Sequence, residues 1–274
     1  MTFDAAGNLY GTTTGGGAVY RISADSSHTL TILATIGSIG AYLNSGVRFD
    51  AAGKLYGTTF EGGRFDQGIV YRISADASHT ATALVDFDGS NGAYAYAPVT
   101  LDAAGKLYGT TFRGGTHDSG TVYRIAADAS HTLTTLVNFG DSTDLLSPYD
   151  TIGGRPFGGV TLDAAGNLYG TTSSDGTVYR ISADASHTMT TLAHFDDGNP
   201  YAGVTLDAAG NIYGANSQYG TSGHGEVFEL VNDAVAVTPE PSTLALGALA
   251  GLTALYRNAA ARSSLPMTTR LCEQ

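Results

Sequence analysis

One tetrapeptide constrains this chain more than anything else: Asp-Ala-Ala-Gly begins at Asp4, Asp50, Asp102, Asp163 and Asp207. Successive copies lie 46, 52, 61 and 44 residues apart. A chain that repeats at this period folds as an array of like units, each burying its apolar face against its neighbour. Each copy is followed by Asn or Lys and then Leu-Tyr-Gly, with Ile212-Tyr213-Gly214 in the last. A Val-Tyr-Arg-Ile segment comes next, at Val19, Val70, Val122 and Val178, and becomes Val227-Phe228-Glu229-Leu230 in the fifth copy. The first four copies continue into Ala-Asp-(Ala/Ser)-Ser-His-Thr and an alternating run such as Leu133-Thr134-Thr135-Leu136-Val137.

The fourth copy shows the predicted unit. Residues 159–163 alternate as a half-buried strand does, 164–166 turn, and 167–172, 176–182 and 188–195 supply three further strands. No helical periodicity interrupts them. Four short antiparallel strands in about 50 residues match one propeller blade. Asp at the first turn position and Gly at the fourth fit a type I turn, with the Asp carboxylate accepting from the amide two residues on. The five aspartates are therefore read as turn formers rather than a carboxylate array.

The resulting expectation is an all-β, β-propeller-like domain over residues 1–233, with repeats near 1–45, 46–97, 98–158, 159–202 and 203–233. It either closes as a five-bladed ring or forms an open arc of a larger one. The last repeat lacks the Ser-His-Thr segment, and residues 234–237 are a short substitute for its fourth strand. Residues 140–157, rich in polar and turn residues, lengthen the link between the third and fourth copies and read as a loop.

Composition excludes some functions. Three of the 13 basic and two of the 25 acidic residues lie beyond position 237, leaving 10 against 23 in the repeat body. That field repels polyanions, and no basic stripe offsets it, so nucleic acid is not an expected partner. The single cysteine, Cys272, permits no intrachain disulfide and no Cys-based metal or redox site. No Gly-x-Ser-x-Gly, His-Glu-x-x-His, phosphate-binding loop or dinucleotide fingerprint occurs. No catalytic residue, metal ligand or cofactor is assigned.

The polar residues that repeat read mainly as structure. His28, His79, His131 and His187 occupy one place in four repeats, whereas an active site needs a unique constellation. They are placed at the start of the fourth strand, in a local turn hydrogen bond. Arg21, Arg72, Arg124 and Arg180 recur after Tyr and read as blade-to-blade partners of a repeat Asp, with a repeated sugar- or carboxylate-binding position as the alternative. Asp86-Phe87-Asp88-Gly89-Ser90-Asn91-Gly92 has alternating oxygen ligands like a Ca²⁺ loop but lacks the closing bidentate Glu, so it reads as an interblade loop. His117, His194 and His224 break the symmetry and are the residues from which an enzyme hypothesis would be assembled.

The string Gly-Val-Thr-Leu-Asp-Ala-Ala-Gly-Asn-Ile-Tyr-Gly at residues 203–214, with Gly-Glu-Val-Phe-Glu-Leu at 225–230, resembles the GloVer tandem repeat. Asn-Leu-Tyr-Gly-Thr-Thr at 8–13 and at 167–172 matches its core. The resemblance covers roughly residues 2–230. It implies an exported bacterial surface protein with one of several C-terminal anchors and no attached activity. A looser likeness, through the Gly-Asn-Leu-Tyr core, exists to NHL-type and lactonase-type propellers.

Beyond the repeats, residues 234–241 form a linker containing Pro239, Glu240 and Pro241. A hydrophobic segment with Arg257 and Arg262 occupies 242–262, and a tail runs over 263–274. This order resembles a PEP-CTERM sorting signal, which implies cleavage near Pro239-Glu240-Pro241 by an exosortase-type membrane enzyme. The apolar run 244–256 is 13 residues, about 20 Å as a helix and short of the roughly 20 residues that span a bilayer. A short C-terminal helix in transient membrane contact, its basic residues facing the cytoplasm, is the expectation. The opening residues carry no charged and apolar leader, so the chain is expected to begin within a longer exported protein. The leading functional expectation is a non-enzymatic surface or extracellular-matrix scaffold or binding module associated with polysaccharide. The alternative is a propeller enzyme (lactonase, lyase or glycan-active) with its site at the ring axis.

Overall fold

The computed structural model of the 274-residue chain describes residues 1–140, 154–195, 200–217 and 225–232. Its regular structure is all β, arranged as five antiparallel meanders. The first sheet contains β1 (Thr2–Phe3), β2 (Leu9–Thr12), β3 (Ala18–Ile22) and β4 (Leu30–Thr35). The second contains β5 (Arg48–Phe49), β6 (Leu55–Thr58), β7 (Ile69–Ile73) and β8 (Ala81–Asp86). The third has β9 (Thr100–Leu101), β10 (Leu107–Thr111), β11 (Thr121–Ile125) and β12 (Leu133–Asn138), and the fourth β13 (Thr161–Leu162), β14 (Leu168–Thr171), β15 (Thr177–Ile181) and β16 (Met189–His194). The fifth has three strands among the described residues: β17 (Thr205–Leu206), β18 (Ile212–Asn216) and β19 (Glu226–Leu230). The predicted strands of the fourth repeat fall where expected, each trimmed at its ends. The expected substitute strand at 234–237 and the C-terminal helix lie outside the described residues.

The turn after each first strand forms as its chemistry requires. Gly7 donates its amide to the Asp4 carbonyl (3.0 Å), and Asp4 Oδ1 accepts from the amides of Ala6 (3.0 Å) and Asn8 (2.9 Å). Gly7 has φ of +84°, the left-handed region where glycine carries no Cβ penalty. The same pattern recurs at Asp50, Asp102, Asp163 and Asp207.

Inside each sheet a glycine meets an aromatic ring. Gly57 pairs with Tyr71 across the second and third strands, Gly109 with Tyr123, Gly170 with Tyr179, and Gly214 with Phe228. A Cβ on Gly109 would collide with the Tyr123 phenol, so the ring can lie flat over the backbone only because residue 109 has no side chain. Tyr71, Tyr123 and Tyr179 are fully buried. Their other contact is the preceding sheet: Phe87 meets Tyr123 and Phe139 meets Tyr179, both with centroids 5.3 Å apart, and Phe195 meets Phe228 at 4.8 Å.

Each outer strand carries a register shift opposite the Val-Tyr step, at Val19/Tyr20, Val70/Tyr71, Val122/Tyr123 and Val178/Tyr179. The bypassed residues are Leu33, Leu84, Leu136 and Leu192, and each packs against an intersheet core. The extra residue lets the outer strand turn an aliphatic side chain inward and increases its twist, as a β-bulge does.

A polar latch joins neighbouring sheets as well. The threonine after Leu-Tyr-Gly donates its hydroxyl to the carbonyl of the segment entering the next repeat. The pairs are Thr12 to Ser45 (2.7 Å), Thr58 to Ala97 (2.9 Å), Thr110 to Gly158 (2.9 Å) and Thr171 to Ala202 (2.8 Å). The fifth repeat has Ala215 at this position and no hydroxyl to offer.

Four hydrophobic cores result, joining the first sheet to the second, the second to the third, the third to the fourth and the fourth to the fifth. Among the described residues none joins the fifth back to the first. Val19, Val70, Val122 and Val178 are all fully buried by the following sheet, whereas the equivalent Val227 is 82% exposed. At the opposite end Phe3, Leu30 and Ile32 are exposed. Of the two expected arrangements, the described residues show an arc without ring closure. This difference gives a direct test. Val122→Ala should lower unfolding stability by about 1.5–3 kcal/mol, the scale of a fully buried valine, while Val227→Ala should stay within about 0.5 kcal/mol of the parent in urea melts.

Candidate functional site

The recurring polar residues are consumed by the framework. Each repeat Asp holds a tyrosine of its own second strand: Tyr10, Tyr56, Tyr108, Tyr169 and Tyr213 donate to Asp4, Asp50, Asp102, Asp163 and Asp207 at 3.0–3.2 Å. Burial alone would raise the carboxyls of Asp4, Asp163 and Asp207. The hydrogen bonds from Asn8, Asn167 and Asn211, with those from tyrosine and backbone, outweigh it and hold all three below the ordinary range.

The four histidines close turns. His28, His79, His131 and His187 donate their amides to the carbonyls of Asp25, Asp76, Asp128 and Asp184 and sit at φ 44–46°, a left-handed conformation for which His is among the more tolerant side chains. They lie just ahead of the fourth strand, a step earlier than expected, in the local turn role expected of them. The aspartates of these turns accept from serine hydroxyls, led by Ser27 for Asp25, Ser78 for Asp76, Ser130 for Asp128 and Ser186 for Asp184, which lowers each carboxyl pKa.

The reading of the repeated arginines as blade-to-blade ion pairs needs correction. Arg21, Arg72, Arg124 and Arg180 stand opposite Tyr10, Tyr56, Tyr108 and Tyr169 within their own sheets. Arg180 donates to Asn167 Oδ1 at 2.9 Å, also within its sheet. Among the described residues the salt bridge formed is Arg113–Asp118, at 3.7 Å. In-register strand pairing places each arginine beside its own tyrosine. In the fifth repeat Glu229 replaces the arginine and accepts from Tyr213 (2.8 Å), whose pKa that bond pushes up to about 12.

The loop at residues 86–92 also spends its oxygens locally. Asp86 accepts from the Arg64 amide, and Asp88 accepts from the Ser90 hydroxyl and the Asn91 amide. His117 lies exposed in the connection between β10 and β11, with Nδ1 3.0 Å from the Thr116 hydroxyl. His194 ends β16 opposite Thr177. His224 lies outside the described residues, as do Pro239, Glu240 and Pro241. No helix among the described residues is long and apolar enough to cross a membrane.

What the structure does bring together was not singled out from the sequence. Met1 and the first strands of the other four repeats border one axial cavity of about 490 Å³. Thr100, Thr161 and Thr205 line it from three of these strands, and the second repeat places Arg48 at the same register. Arg48 is the one charged side chain among the described lining residues, and among the described residues no carboxylate lies within ion-pair distance of it. Its guanidinium makes a long, 3.4 Å contact with the Val47 carbonyl.

Tyr96 and Phe157 stand on the same cavity and begin a ladder of six aromatic rings. Centroids lie 4.8 Å apart for Phe60–Tyr94, 4.7 Å for Phe60–Tyr96, 4.7 Å for Tyr96–Phe157, 4.6 Å for Phe112–Phe157 and 4.9 Å for Phe157–Tyr201. Five of the rings come from two register positions, and Tyr94 stands where the preceding copy carries Tyr42. Tyr96, Phe157 and Tyr201 stand three residues before the Val that leads into the next first strand, where Asn44 stands ahead of the second repeat. Phe60 and Phe112 stand two residues after the latch threonine, where other copies carry Thr14, Ser173 and Ser217. The ladder therefore belongs to one side of the arc. Five of the rings are half-buried and Tyr201 is 47% exposed. Arg155 lies over Phe112, 5.7 Å from its centroid, in cation–π range. Aromatic faces edged by two arginines, with no acid or imidazole among the described lining residues, form a surface for binding by stacking.

Sheets of four-strand meanders arrayed about a common axis define a propeller-type repeat protein. Solved structures agree on this fold. A protein of the nidogen/laminin complex matches at 16% identity over 81% of this chain and 77% of its own, with a TM-score of 0.52. Virginiamycin B lyase from Staphylococcus aureus matches at 15% identity over 88% and 69%, TM-score 0.52. An auxiliary nutrient binding protein from Bacteroides thetaiotaomicron matches at 11% over 75% and 53%, TM-score 0.52. The chain belongs to the Gloeobacter/Verrucomicrobia repeat family, whose sequence model matches residues 1–174. No curated protein matches it by sequence.

The carboxylates make acid sensitivity predictable. A carboxyl whose folded pKa lies below its unfolded value stabilises the fold above the unfolded value, about 3.9 for Asp, and that contribution disappears as pH falls through the folded value. Asp4, Asp25, Asp76, Asp128, Asp163, Asp184 and Asp207 all act in this sense. The urea midpoint should hold steady, as far as these groups act, from pH 7 to about pH 5, then fall steeply below about pH 4. A midpoint at pH 3 equal to that at pH 6 would contradict the assignment.

Proposed function

We propose that this protein is a non-enzymatic, exported repeat module that binds extracellular polysaccharide at the cell surface through the aromatic ladder beside its axial cavity. The observation that carries the reading is the run of six contiguous, solvent-reachable rings, five of them at positions where the repeats differ. The faces of pyranose rings present C–H groups of slight positive charge, which stack on the electron-rich face of Phe or Tyr. A chain of rings with centroids under 5 Å apart suits a polymer better than one small molecule. Aromatic side chains that served only the fold would sit at repeat-wide positions, as Tyr71, Tyr123 and Tyr179 do. The axial position that an enzyme would need to fill with acids or imidazoles carries threonines and Arg48 instead, which favours binding over the lactonase, lyase or glycan-active alternative.

Affinity electrophoresis in gels containing dextran, soluble cellulose derivatives or polygalacturonate tests this reading. At least one polymer should retard the protein. Tyr201→Ala or Phe157→Leu, with thermal midpoints checked against the parent, should weaken that retardation roughly fivefold, the scale of about 1 kcal/mol per stacked ring. Migration unchanged in every polymer would sink the proposal.

Export rests on the resemblance of residues 239–262 to a sorting signal and of the repeats to surface proteins. The processed form is expected to end near Pro239-Glu240-Pro241 after exosortase-type cleavage, following transient membrane contact by the segment after it. Terminal-peptide mass spectrometry of the native protein from medium, envelope and cytosol should find that shortened C-terminus outside the cell. An intact C-terminus ending at Gln274, confined to the cytosol, is the contrary result.

A further inference from the structure

We infer that the polysaccharide is an acidic one and that Arg48, at the axis, receives a sugar carboxylate while neighbouring sugar faces stack on Tyr96 and Phe157. This rests on the glycan-binding reading above and adds the chemical class of the ligand.

The argument begins with register. The second residue of each repeat's opening Val/Met-x-Phe/Leu-Asp segment is Thr2, Arg48, Thr100, Thr161 and Thr205. Arg48 alone replaces a short neutral hydroxyl with a cation, and Thr100 and Thr161 show that threonine has structural work at this position: they donate to the Val160 and Val204 carbonyls of the following repeat. Arg48 gives up that latch and turns to its own Val47 carbonyl at 3.4 Å, a poor hydrogen bond.

Placement is the second line. Arg48 is half-buried on the cavity shared with Tyr96 and Phe157, and its five N–H donors are unmatched by any carboxylate within 4.0 Å among the described residues. A guanidinium in that state is a bidentate site for a planar oxyanion. The cavity walls around it are backbone, Asn44, Ser45, threonine and aromatic groups, with no carboxylate among the described lining residues to satisfy it. Arg155, exposed over Phe112, which stacks on Phe157, places another cation along the path that stacked sugars would follow.

Charge also sets the limit of the proposal. The body as a whole is acidic, 10 basic against 23 acidic residues before position 238, so long-range attraction does not bring a polyanion in. At about 0.15 M salt, screening over about 8 Å confines that repulsion to short range, and a fixed guanidinium in contact dominates locally. Recognition should then depend on the one side chain and only weakly on ionic strength, unlike polycation–polyanion association.

The experiment uses the full chain and compares polygalacturonate with its fully methyl-esterified form, matched in length, by isothermal titration calorimetry at 0.15 M NaCl. The parent should bind the acid form at least tenfold more tightly than the ester. Arg48→Thr, which installs the residue that four other repeats carry and so preserves folding, should remove that preference while keeping residual binding through the rings. Arg48→Lys should recover only part of it, since an ammonium cannot form the bidentate pair. Equal affinity for acid and ester, or an acid preference surviving in Arg48→Thr, overturns the carboxylate assignment and leaves stacking on neutral glycans standing. Binding of neither polymer by any variant, together with no retardation by neutral polysaccharides, overturns both readings.

Discussion

The contact on which this structure depends is the aromatic ring lying over a bare glycine in the neighbouring strand. Because Gly57, Gly109 and Gly170 lack a Cβ, Tyr71, Tyr123 and Tyr179 lie against their own sheets and are fully buried. The face of the ring left over meets the residue closing the previous sheet, Phe87 for Tyr123 and Phe139 for Tyr179. One side chain thus fastens strand to strand and sheet to sheet. A substitution at the glycine would displace the ring and with it the seam between sheets, which explains why Leu-Tyr-Gly and Val-Tyr-Arg-Ile travel together through the sequence.

Once that seam and the threonine latch are in place, the remaining polar residues of each repeat are committed. Asp4 and its counterparts hold a turn and a tyrosine, the histidines close a left-handed turn, and the aspartates three residues before them accept from serine hydroxyls and amides. Function is left to positions where repeats differ. Those positions cluster because the meander delivers the end of each second strand and the entry to each first strand to the same side of the axis. Phe60, Tyr94, Tyr96, Phe112, Phe157 and Tyr201 come from three repeats and become neighbours.

Much of the framework was legible. The spacing of Asp-Ala-Ala-Gly gave five units, alternation gave the strands, and turn chemistry explained the aspartates and histidines. The arginines were misjudged because a repeated charge suggests a partner across the seam, whereas strand register sets each beside its own tyrosine. The aromatic ladder and Arg48 were overlooked for the opposite reason: they fall outside the consensus, and no period marks them. Aligning the five copies and reading the exceptions, Arg48 among threonines and Phe112 among small polar residues, is the signal that would have found them.

Local chemistry needs only near neighbours in the chain, so the sequence alone determined the repeat, its turns, its strand pattern and its membership of the Gloeobacter/Verrucomicrobia repeat family. Only the tertiary structure decided which exceptions meet. Bringing Arg48 to the same cavity as Tyr96 and Phe157, some 50 and 110 residues away, depends on how far each sheet rotates about the axis. That rotation is set by ring-on-glycine packing between sheets, a property of pairs of repeats that no single repeat carries. The exposed Val227 beside its four buried equivalents shows the same thing at the end of the arc: identical residues have different surroundings because burial is conferred by the next sheet.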